Sequence, residues 1–163
     1  EEVLGDAVIT SLQVPESFTG NDAEVVDVLP PDAASIDLSE APRIICGGAG
    51  IQTSSTFHAL FDIAEELSAS VGATRVITDR SWVEHQRQIG TTGVVVNPQL
   101  YIALGVSGAV QHTSGLGQPE HIVSINTDPH CPMMQLADLG IVSDANEVLP
   151  ALLAALQKRK SNA

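Results

Sequence analysis

The chain has 163 residues, of which 44% are hydrophobic and 3% aromatic, and its 7 basic and 20 acidic residues give a formal net charge of −13. These values indicate a globular protein of single-domain size with an aliphatic core, which suits a parallel sheet buried on both faces. An acidic surface repels phosphate backbones and anionic lipids, so we expect neither nucleic acid nor a membrane as a partner.

The first 42 residues have the pattern of two short strands, a turn-prone segment between them and an acidic connector. They contain too little apolar material for a separate domain, so we interpret residues 1–42 as the end of an N-terminal module plus a linker. The first ten residues lack the basic and apolar regions of a secretory signal. Cys46 and Cys131 lie far apart without CxxC spacing, which fits reduced thiols in a cytoplasmic protein.

From Arg43 onwards, strand-like and helix-like segments alternate with short connections. The long helical pattern after the first strand should be capped by Thr53, Ser54 or Ser55 and should end at Gly72. This alternation predicts a doubly wound, mostly parallel α/β sheet over residues 43–163. The predicted strands are RIIC, TRVIT, VVV, LYIALGV, HIVSIN and LGIVS, and the predicted helices are TSSTFHALFDIAEELSASVG, GAVQHTS, PMMQLA and NEVLPALLAALQKRK, the last with Pro150 near its first turn.

Glycine and polar residues follow or neighbour the ends of the predicted strands, at Gly47–Gly50, Ser107, Gly108, Asn126–Asp128 and Asp138. In sheets of this type ligands bind at the carboxyl ends of the strands. We therefore expect these residues to form one ligand-binding edge.

The chemistry at this edge has two interpretations at each position. The glycines after the first strand suit a phosphate bound by backbone N–H groups, although a tight structural turn needs the same residues. Arg75 is either a cation for the ligand or a partner in a surface salt bridge. Gln88 and Thr92 are suited to bind the edge of a heterocycle, or they belong to an ordinary loop. His112 lies just beyond a Gly-Ser-Gly corner, where a ligand contact competes with a structural role.

We predict neither a catalytic residue nor a metal site. The segment GVSGA lacks the G-x-S-x-G spacing of a nucleophile elbow, and His130 and Cys131 have no partners at metal-ligand spacing.

Six segments, taken in order, resemble the C-terminal, FAD-binding domain of the electron transfer flavoprotein alpha subunit. They are GGAG, SVGATR, QIGTTG, NPQLYIALGVSGAVQH, VSINTDPHCPMMQLADLGIV and VLPALL, and they span roughly residues 43–156. The resemblance implies a Rossmann-like domain of the DHS-like NAD/FAD-binding type, which binds FAD and pairs with a beta subunit. It further implies an electron carrier, not a substrate-converting enzyme, that accepts electrons from dehydrogenases and passes them to an acceptor oxidoreductase. Its location would be the cytoplasm of a prokaryote or the mitochondrial matrix of a eukaryote.

The resemblance also assigns the flavin half of the cofactor. Arg75 corresponds to the arginine beside the isoalloxazine ring, and Gln88 and Thr92 correspond to contacts with the ring or the ribityl chain. His112 would reach the pyrimidine edge of the flavin.

The other half of FAD is assigned in the same way. Ser107 and Gln111 correspond to pyrophosphate and flavin contacts, and Asn126 and Asp138 to contacts with the pyrophosphate and adenosine. The FAD contacts expected in total are Gly48, Gly50, Thr74, Arg75, Gln88, Gly90, Thr91, Thr92, Ser107, Gly108, Gln111, His112, Asn126, Asp128 and Asp138.

The chain departs from the family pattern at three positions. Ala49 and Thr91 stand where the family usually has arginine and glutamine, and Arg80 is a new cation. Two alternatives therefore stay open: a stand-alone domain that binds NAD or another adenine nucleotide, and a structural paralogue without a cofactor.

Overall fold

The structure, a computed structural model, describes residues 37–161 of the chain. The two N-terminal strands and most of the linker expected within residues 1–42 lie outside this range. The described part contains one sheet of five parallel strands with helices between them. In chain order its elements are β1 (Arg43–Gly47), α1 (Ser54–Leu67), β2 (Ser70–Ala73), α2 (Arg75–Asp79), β3 (Leu100–Leu104), α3 (Val110–Thr113), β4 (His121–Asn126), α4 (Pro132–Leu136), β5 (Leu139–Val142) and α5 (Ala145–Ser161), with 3-10 turns at Leu38–Glu40 and His85–Arg87.

The strand order is β2-β1-β3-β4-β5, so the chain leaves β1 first towards one side of the sheet and later returns to its other side. Gly47 at the end of β1 is level with Ala73 of β2 and with Leu104 of β3. The carboxyl ends of these strands therefore lie side by side, and the strand order reverses between β1 and β3. This confirms the predicted doubly wound α/β sheet, and it places the favoured ligand position at the ends of β1 and β3.

Alternate residues of the central strands supply two separate cores. Ile45 and Leu104 belong to a cluster that includes Phe57 of α1 and residues of α5, whereas Cys46 and Tyr101 belong to a cluster that includes residues of α4. This alternation is the period of two expected for strands whose two faces are both covered.

The segment TRVIT is a helix and not the predicted strand. β2 comes earlier, and Gly72 lies within it, where an added Cβ would be 2.6 Å from Ile89 Cδ1. The preceding helix α1 therefore ends before Gly72, at Leu67. The next residue, Ser68, has a left-handed backbone (φ 49°), and the N–H of Ala69 beyond it donates to the Ala64 carbonyl at 2.8 Å. α2 buries Ile77 and exposes Val76, so burial of one face outweighs the strand propensity of its residues.

Two further segments differ from the predictions. Val94 and Val96 of VVV form only isolated bridges. α5 begins at Ala145, so Pro150 lies inside the helix, where its missing N–H leaves the carbonyl four residues earlier without its usual donor. No helix within residues 37–161 is both long and apolar enough to cross a membrane.

Candidate cofactor-binding site

A cavity of about 410 Å³, here called the edge cavity, opens beside the carboxyl ends of β1 and β3. Its walls come from the glycine turn after β1, the start of α2, residues 88–92, residues 106–109 and α3. Ten of the predicted FAD contacts line it: Thr74, Arg75, Gln88, Gly90, Thr91, Thr92, Ser107, Gly108, Gln111 and His112.

The rest of the lining is apolar or small and was not among the predicted FAD contacts, although Ala49 lies within the range Gly47–Gly50 expected at this edge. It consists of Ala49, Val76, Ile89, Val106 and Ala109. No local sequence signal marks such residues, because aliphatic side chains at a cavity look the same in sequence as those in the core. Their presence gives the cavity mainly apolar walls with polar groups at selected points, as is typical of sites for small organic ligands.

Two residues at the start of α2, Thr74 and Arg75, line the cavity. The hydroxyl of Thr74 is buried and has no hydrogen-bond partner within the part of the chain that the structure describes. Arg75 lines the cavity with a side chain that is 71% exposed, and its Nε lies 3.4 Å from Asp79 Oδ2. Such an exposed pair is weak, so the guanidinium is held only loosely in its present position.

Gln88 joins α2 to the cavity wall through a buried side chain. Its Oε1 accepts a hydrogen bond of 2.6 Å from the Thr78 hydroxyl, and its Nε2 donates one of 2.9 Å to the Thr92 hydroxyl. Only 1% of Gln88 is exposed, so water does not reach its carboxamide, whereas Thr92 itself is exposed.

Thr91 attaches the same loop to α3. Its N–H donates to the Gln111 carbonyl at 2.7 Å, and its hydroxyl lies 2.6 Å from the Ser114 hydroxyl. The loop approaches so closely that a Cβ on Gly90 (φ +145°) would be 2.5 Å from that carbonyl. The Thr91 hydroxyl is therefore engaged with α3, and its side chain holds the loop in place.

His112 has both ring nitrogens bonded to the protein. Nδ1 lies 3.0 Å from the Ile89 carbonyl, which can only accept, so Nδ1 carries the hydrogen. Burial lowers the pKa of His112, and in the neutral ring Nε2 accepts from the Tyr101 hydroxyl at 2.7 Å. In this arrangement neither ring nitrogen of His112 is free, and its contact with the pyrimidine edge of the flavin stays a prediction. Beside Tyr101, burial raises the pKa of the Cys46 thiol to about 12, which keeps that thiol protonated.

The glycine turn after β1 packs against the turn after β3. Gly48 N–H donates to the Leu104 carbonyl and Gly50 N–H to the Gly105 carbonyl, each at 2.9 Å. A Cβ on Gly48 would lie 2.4 Å from the Gly105 oxygen. These two N–H groups are not free to bind a phosphate, and the structural interpretation of the glycines is the one that the geometry supports.

Gly108 has a comparable structural role on the other side. Its φ is +79°, and an added Cβ would be 2.4 Å from the Met133 nitrogen. The neighbouring Ser107 has an exposed side chain, while its carbonyl accepts from Met133 N–H at 3.1 Å.

Of the three departures from the family pattern, Ala49 and Thr91 line the edge cavity and Arg80 does not. Ala49 adds no charge to the edge cavity, which it lines. Arg80 lies outside that lining, with its guanidinium 4.9 Å from the centre of the Trp82 ring and 3.4 Å from the Ile51 carbonyl.

Asn126 and Asp128 lie at the carboxyl edge but outside the edge cavity. The Asn126 side chain donates to the Val106 carbonyl at 2.9 Å and accepts from Asp128 N–H at 3.1 Å. Asp128 in turn accepts from His130 N–H at 2.8 Å. These contacts connect the turn after β4 to the turn after β3.

Asp138 lies at the opposite edge of the sheet. It precedes β5, and its carboxylate accepts from Ile122 N–H, near the start of β4, at 2.8 Å. Because all strands are parallel, this is the amino end, so the expectation that Asp138 shares the ligand-binding edge is wrong.

Asp144, which the sequence analysis missed, follows β5 at the carboxyl edge, and hydrogen bonds from Asn146 lower the pKa of its carboxyl group. Its signal was available: an acidic residue directly after the last predicted strand.

Residues 37–161 contain no group of three or more His, Cys, Asp or Glu side chains placed to hold a metal ion. The site therefore consists of hydrogen-bonding groups, one exposed guanidinium and apolar walls.

The comparisons with known proteins match the part of the chain that contains the edge cavity. The family described as "Electron transfer flavoprotein FAD-binding domain" matches residues 37–117. The chain is 43% identical over 164 residues to "Electron transfer flavoprotein subunit alpha, mitochondrial" of Oryza sativa subsp. indica, covering 98% of this chain and 46% of that protein. It is 43% identical over 136 residues to "Electron transfer flavoprotein subunit alpha" of Bacillus subtilis (strain 168), covering 83% and 42%, and 38% identical over 144 residues to "Protein FixB" of Clostridium saccharobutylicum, covering 87% and 43%. The chain spans less than half the length of these relatives.

Proposed function

Since the chain belongs to the family of electron transfer flavoprotein alpha subunits through its FAD-binding domain, we propose that it binds FAD along the carboxyl edge of its sheet and that the whole protein is an electron carrier. The flavin ring would occupy the edge cavity, and the adenosine half would extend along the ends of β4 and β5.

The observation that carries this proposal is the convergence of the predicted contacts on one cavity. The edge cavity of about 410 Å³ is within the range of roughly 300–1,000 Å³ for small-molecule sites. Ile89, Val106 and Ala109 provide apolar surface for the faces of a planar ring.

Each polar residue has a task that follows from its position. Arg75 would place positive charge near the ring, which matters in a chain of net charge −13 because reduction adds negative charge. Thr92, held from behind by Gln88, would bind the ring edge, and Ser107 and Gln111 would bind the chain that links the ring to the pyrophosphate. When bound, FAD supplies the capacity to accept and release electrons, whereas these residues hold it and exclude water.

For the adenosine half, we propose Asn126, Asp128 and Asp144, with Asp144 in the place first given to Asp138. All three lie at the carboxyl edge of β4 or β5, and a carboxylate there is suited to accept hydrogen bonds from a ribose. His112 would contact the flavin through the side of its ring, because both of its nitrogens are occupied.

The proposal extends to the complete protein, of which this chain spans only a part. A beta subunit would complete the enclosure of the flavin, a dehydrogenase would donate electrons and an oxidoreductase would accept them. The carrier itself would convert no substrate.

The test is purification of the full-length protein co-expressed with the matching beta-type subunit. We expect a 1:1 complex that is yellow and releases FAD on heat denaturation, identified by chromatography. Release of FMN, of NAD or of no nucleotide would contradict the proposal, and the last result would favour a structural paralogue.

Two matched variants locate the adenosine half. Asp144→Asn keeps an acceptor for the start of α5 but removes the charge, and we expect FAD affinity to fall about tenfold. Asp138→Asn makes the same chemical change at the amino edge and should leave affinity unchanged. Equal effects of the two variants would refute the placement.

A further inference from the structure

Three side chains form a continuous line of hydrogen bonds from α2 to the edge cavity. The Thr78 hydroxyl lies 2.6 Å from Gln88 Oε1, and Gln88 Nε2 lies 2.9 Å from the Thr92 hydroxyl. The Thr78 hydroxyl also lies 2.9 Å from the Arg75 carbonyl. Thr78 itself does not line the cavity, whereas Gln88 and Thr92 do.

The direction in which these side chains donate along the line determines whether Thr92 can donate a hydrogen bond to a ligand or accept one from it. In the arrangement present, Thr78 donates to Gln88 and Gln88 donates to Thr92. A hydroxyl has one hydrogen and can also accept, so Thr92 keeps its own hydrogen for an acceptor in the cavity.

The opposite direction satisfies the same three side chains. Rotation of the Gln88 carboxamide by half a turn would let Thr92 donate to Oε1 and Nε2 donate to Thr78. Thr78 would then donate to the Arg75 carbonyl, which is already within reach. Thr92 would have no free hydrogen and would accept from the ligand. Because Gln88 is almost fully buried, water cannot substitute for a missing partner of its carboxamide, so the two directions that satisfy both Oε1 and Nε2 are the low-energy alternatives.

We propose that this hydrogen-bond chain is reversible, and that Thr78 is a positioning residue which, through Gln88, allows Thr92 to switch between donating to the ligand and accepting from it. The proposal rests on the proposed function, because a flavin presents an acceptor nitrogen at its ring edge when oxidised and an N–H group there when reduced. A hydrogen-bond chain that can reverse its direction binds both the oxidised and the reduced flavin with every donor and acceptor paired.

Removal of the Thr78 hydroxyl makes the two directions unequal. In Thr78→Val, the present direction leaves only Gln88 Oε1 without a partner, whereas the reverse direction leaves an N–H group without one. Buried N–H groups without a partner are rarer than under-satisfied carbonyl oxygens, so the variant should keep Thr92 as a donor. We expect the variant to bind reduced flavin about fivefold less tightly relative to oxidised flavin, and its reduction potential to become more negative.

The experiment uses the full-length complex, with FAD as the probe. Potentiometric titration gives the potential, and NMR of glutamine labelled with ¹⁵N in the side chain gives the carboxamide signals of Gln88 in the oxidised and fully reduced states. The wild type and Thr78→Ser should both show a change of the Gln88 signals on reduction, and Thr78→Val should show a smaller change together with the lower potential. Thr113→Val is the matched control, because within residues 37–161 the Thr113 hydroxyl bonds only to the Val110 carbonyl of its own helix.

Three results would overturn the proposal. The first is a wild-type Gln88 signal that does not respond to reduction, and the second is a Thr78→Val complex with the wild-type potential. The third is a potential shift of equal size in Thr113→Val. A wild-type complex without flavin would overturn the proposed function as well, whereas the three results above would leave FAD binding intact.

Discussion

Replacing Tyr101 by Phe should destabilise the folded protein by about 2 kcal/mol. The substitution keeps the aromatic ring, which is fully buried in the core, and removes only the hydroxyl. That hydroxyl donates to His112 Nε2 at 2.7 Å, and His112 through Nδ1 holds the Ile89 carbonyl at 3.0 Å. The substitution therefore removes the hydrogen bond that connects α3, and through it residues 88–92, to the sheet.

The magnitude follows from burial. Because the ring remains, there is little change in buried apolar area. His112 is only 6% exposed, so its Nε2 would be an acceptor without a partner in a site that water hardly reaches. Such an unsatisfied group costs about 1–3 kcal/mol, and for a chain of this size 1 kcal/mol corresponds to roughly 2–4 °C in Tm.

The assay is urea unfolding followed by circular dichroism at about pH 7.5, where the imidazole is neutral. A double-mutant cycle with His112→Leu isolates the pair, and the double variant should lose less stability than the two single variants added together. A Tyr101→Phe variant within about 0.5 kcal/mol of the wild type would show that this hydrogen bond does not hold the site together.

Three further measurements test other parts of the structure. Acidification below about pH 6.5 should destabilise the protein, because the pKa of His112 is lower in the folded state and the unfolded chain binds the proton more readily. His112→Gln should therefore reduce the slope of Tm against pH between about pH 5 and 7, and an unchanged slope would contradict the neutral ring. Gly108→Ala should lower the free energy of unfolding in urea by about 2 kcal/mol, since the φ of Gly108 is +79° and an added Cβ would lie 2.4 Å from the Met133 nitrogen. Gly117→Ala should lower it less, because the nearest atom to a Cβ there is at 3.2 Å, and equal losses would refute the steric argument. Arg75→Ala in the full complex should lower the FAD reduction potential, with part of the effect retained in Arg75→Lys, and unchanged potentials would leave Arg75 with only its surface pair to Asp79.

The local errors of the sequence analysis have identifiable causes. TRVIT combines valine, isoleucine and threonine, which favour strands, but β2 had already ended at Ala73 and burial of Ile77 stabilises a helix. Propensity could not reveal that competition, because it depends on what packs against the segment. The placement of Asp138 was a different error, since the direction of the predicted strand LGIVS was sufficient to place this residue at the amino edge.

The amino-acid sequence by itself determined the alternation of strands and helices, the position of the turns at strand ends and the family to which the chain belongs. These properties depend on short-range patterns of apolar residues and glycines, and on motifs that stay contiguous in the chain. Only the tertiary structure decided what each polar group does. The ring nitrogens of His112, the hydroxyl of Thr91 and the amide of Gln88 are bonded to partners on other elements. Those partners come within 3 Å only when the loops dock on the sheet, and burial then determines which donors and acceptors are left for a ligand.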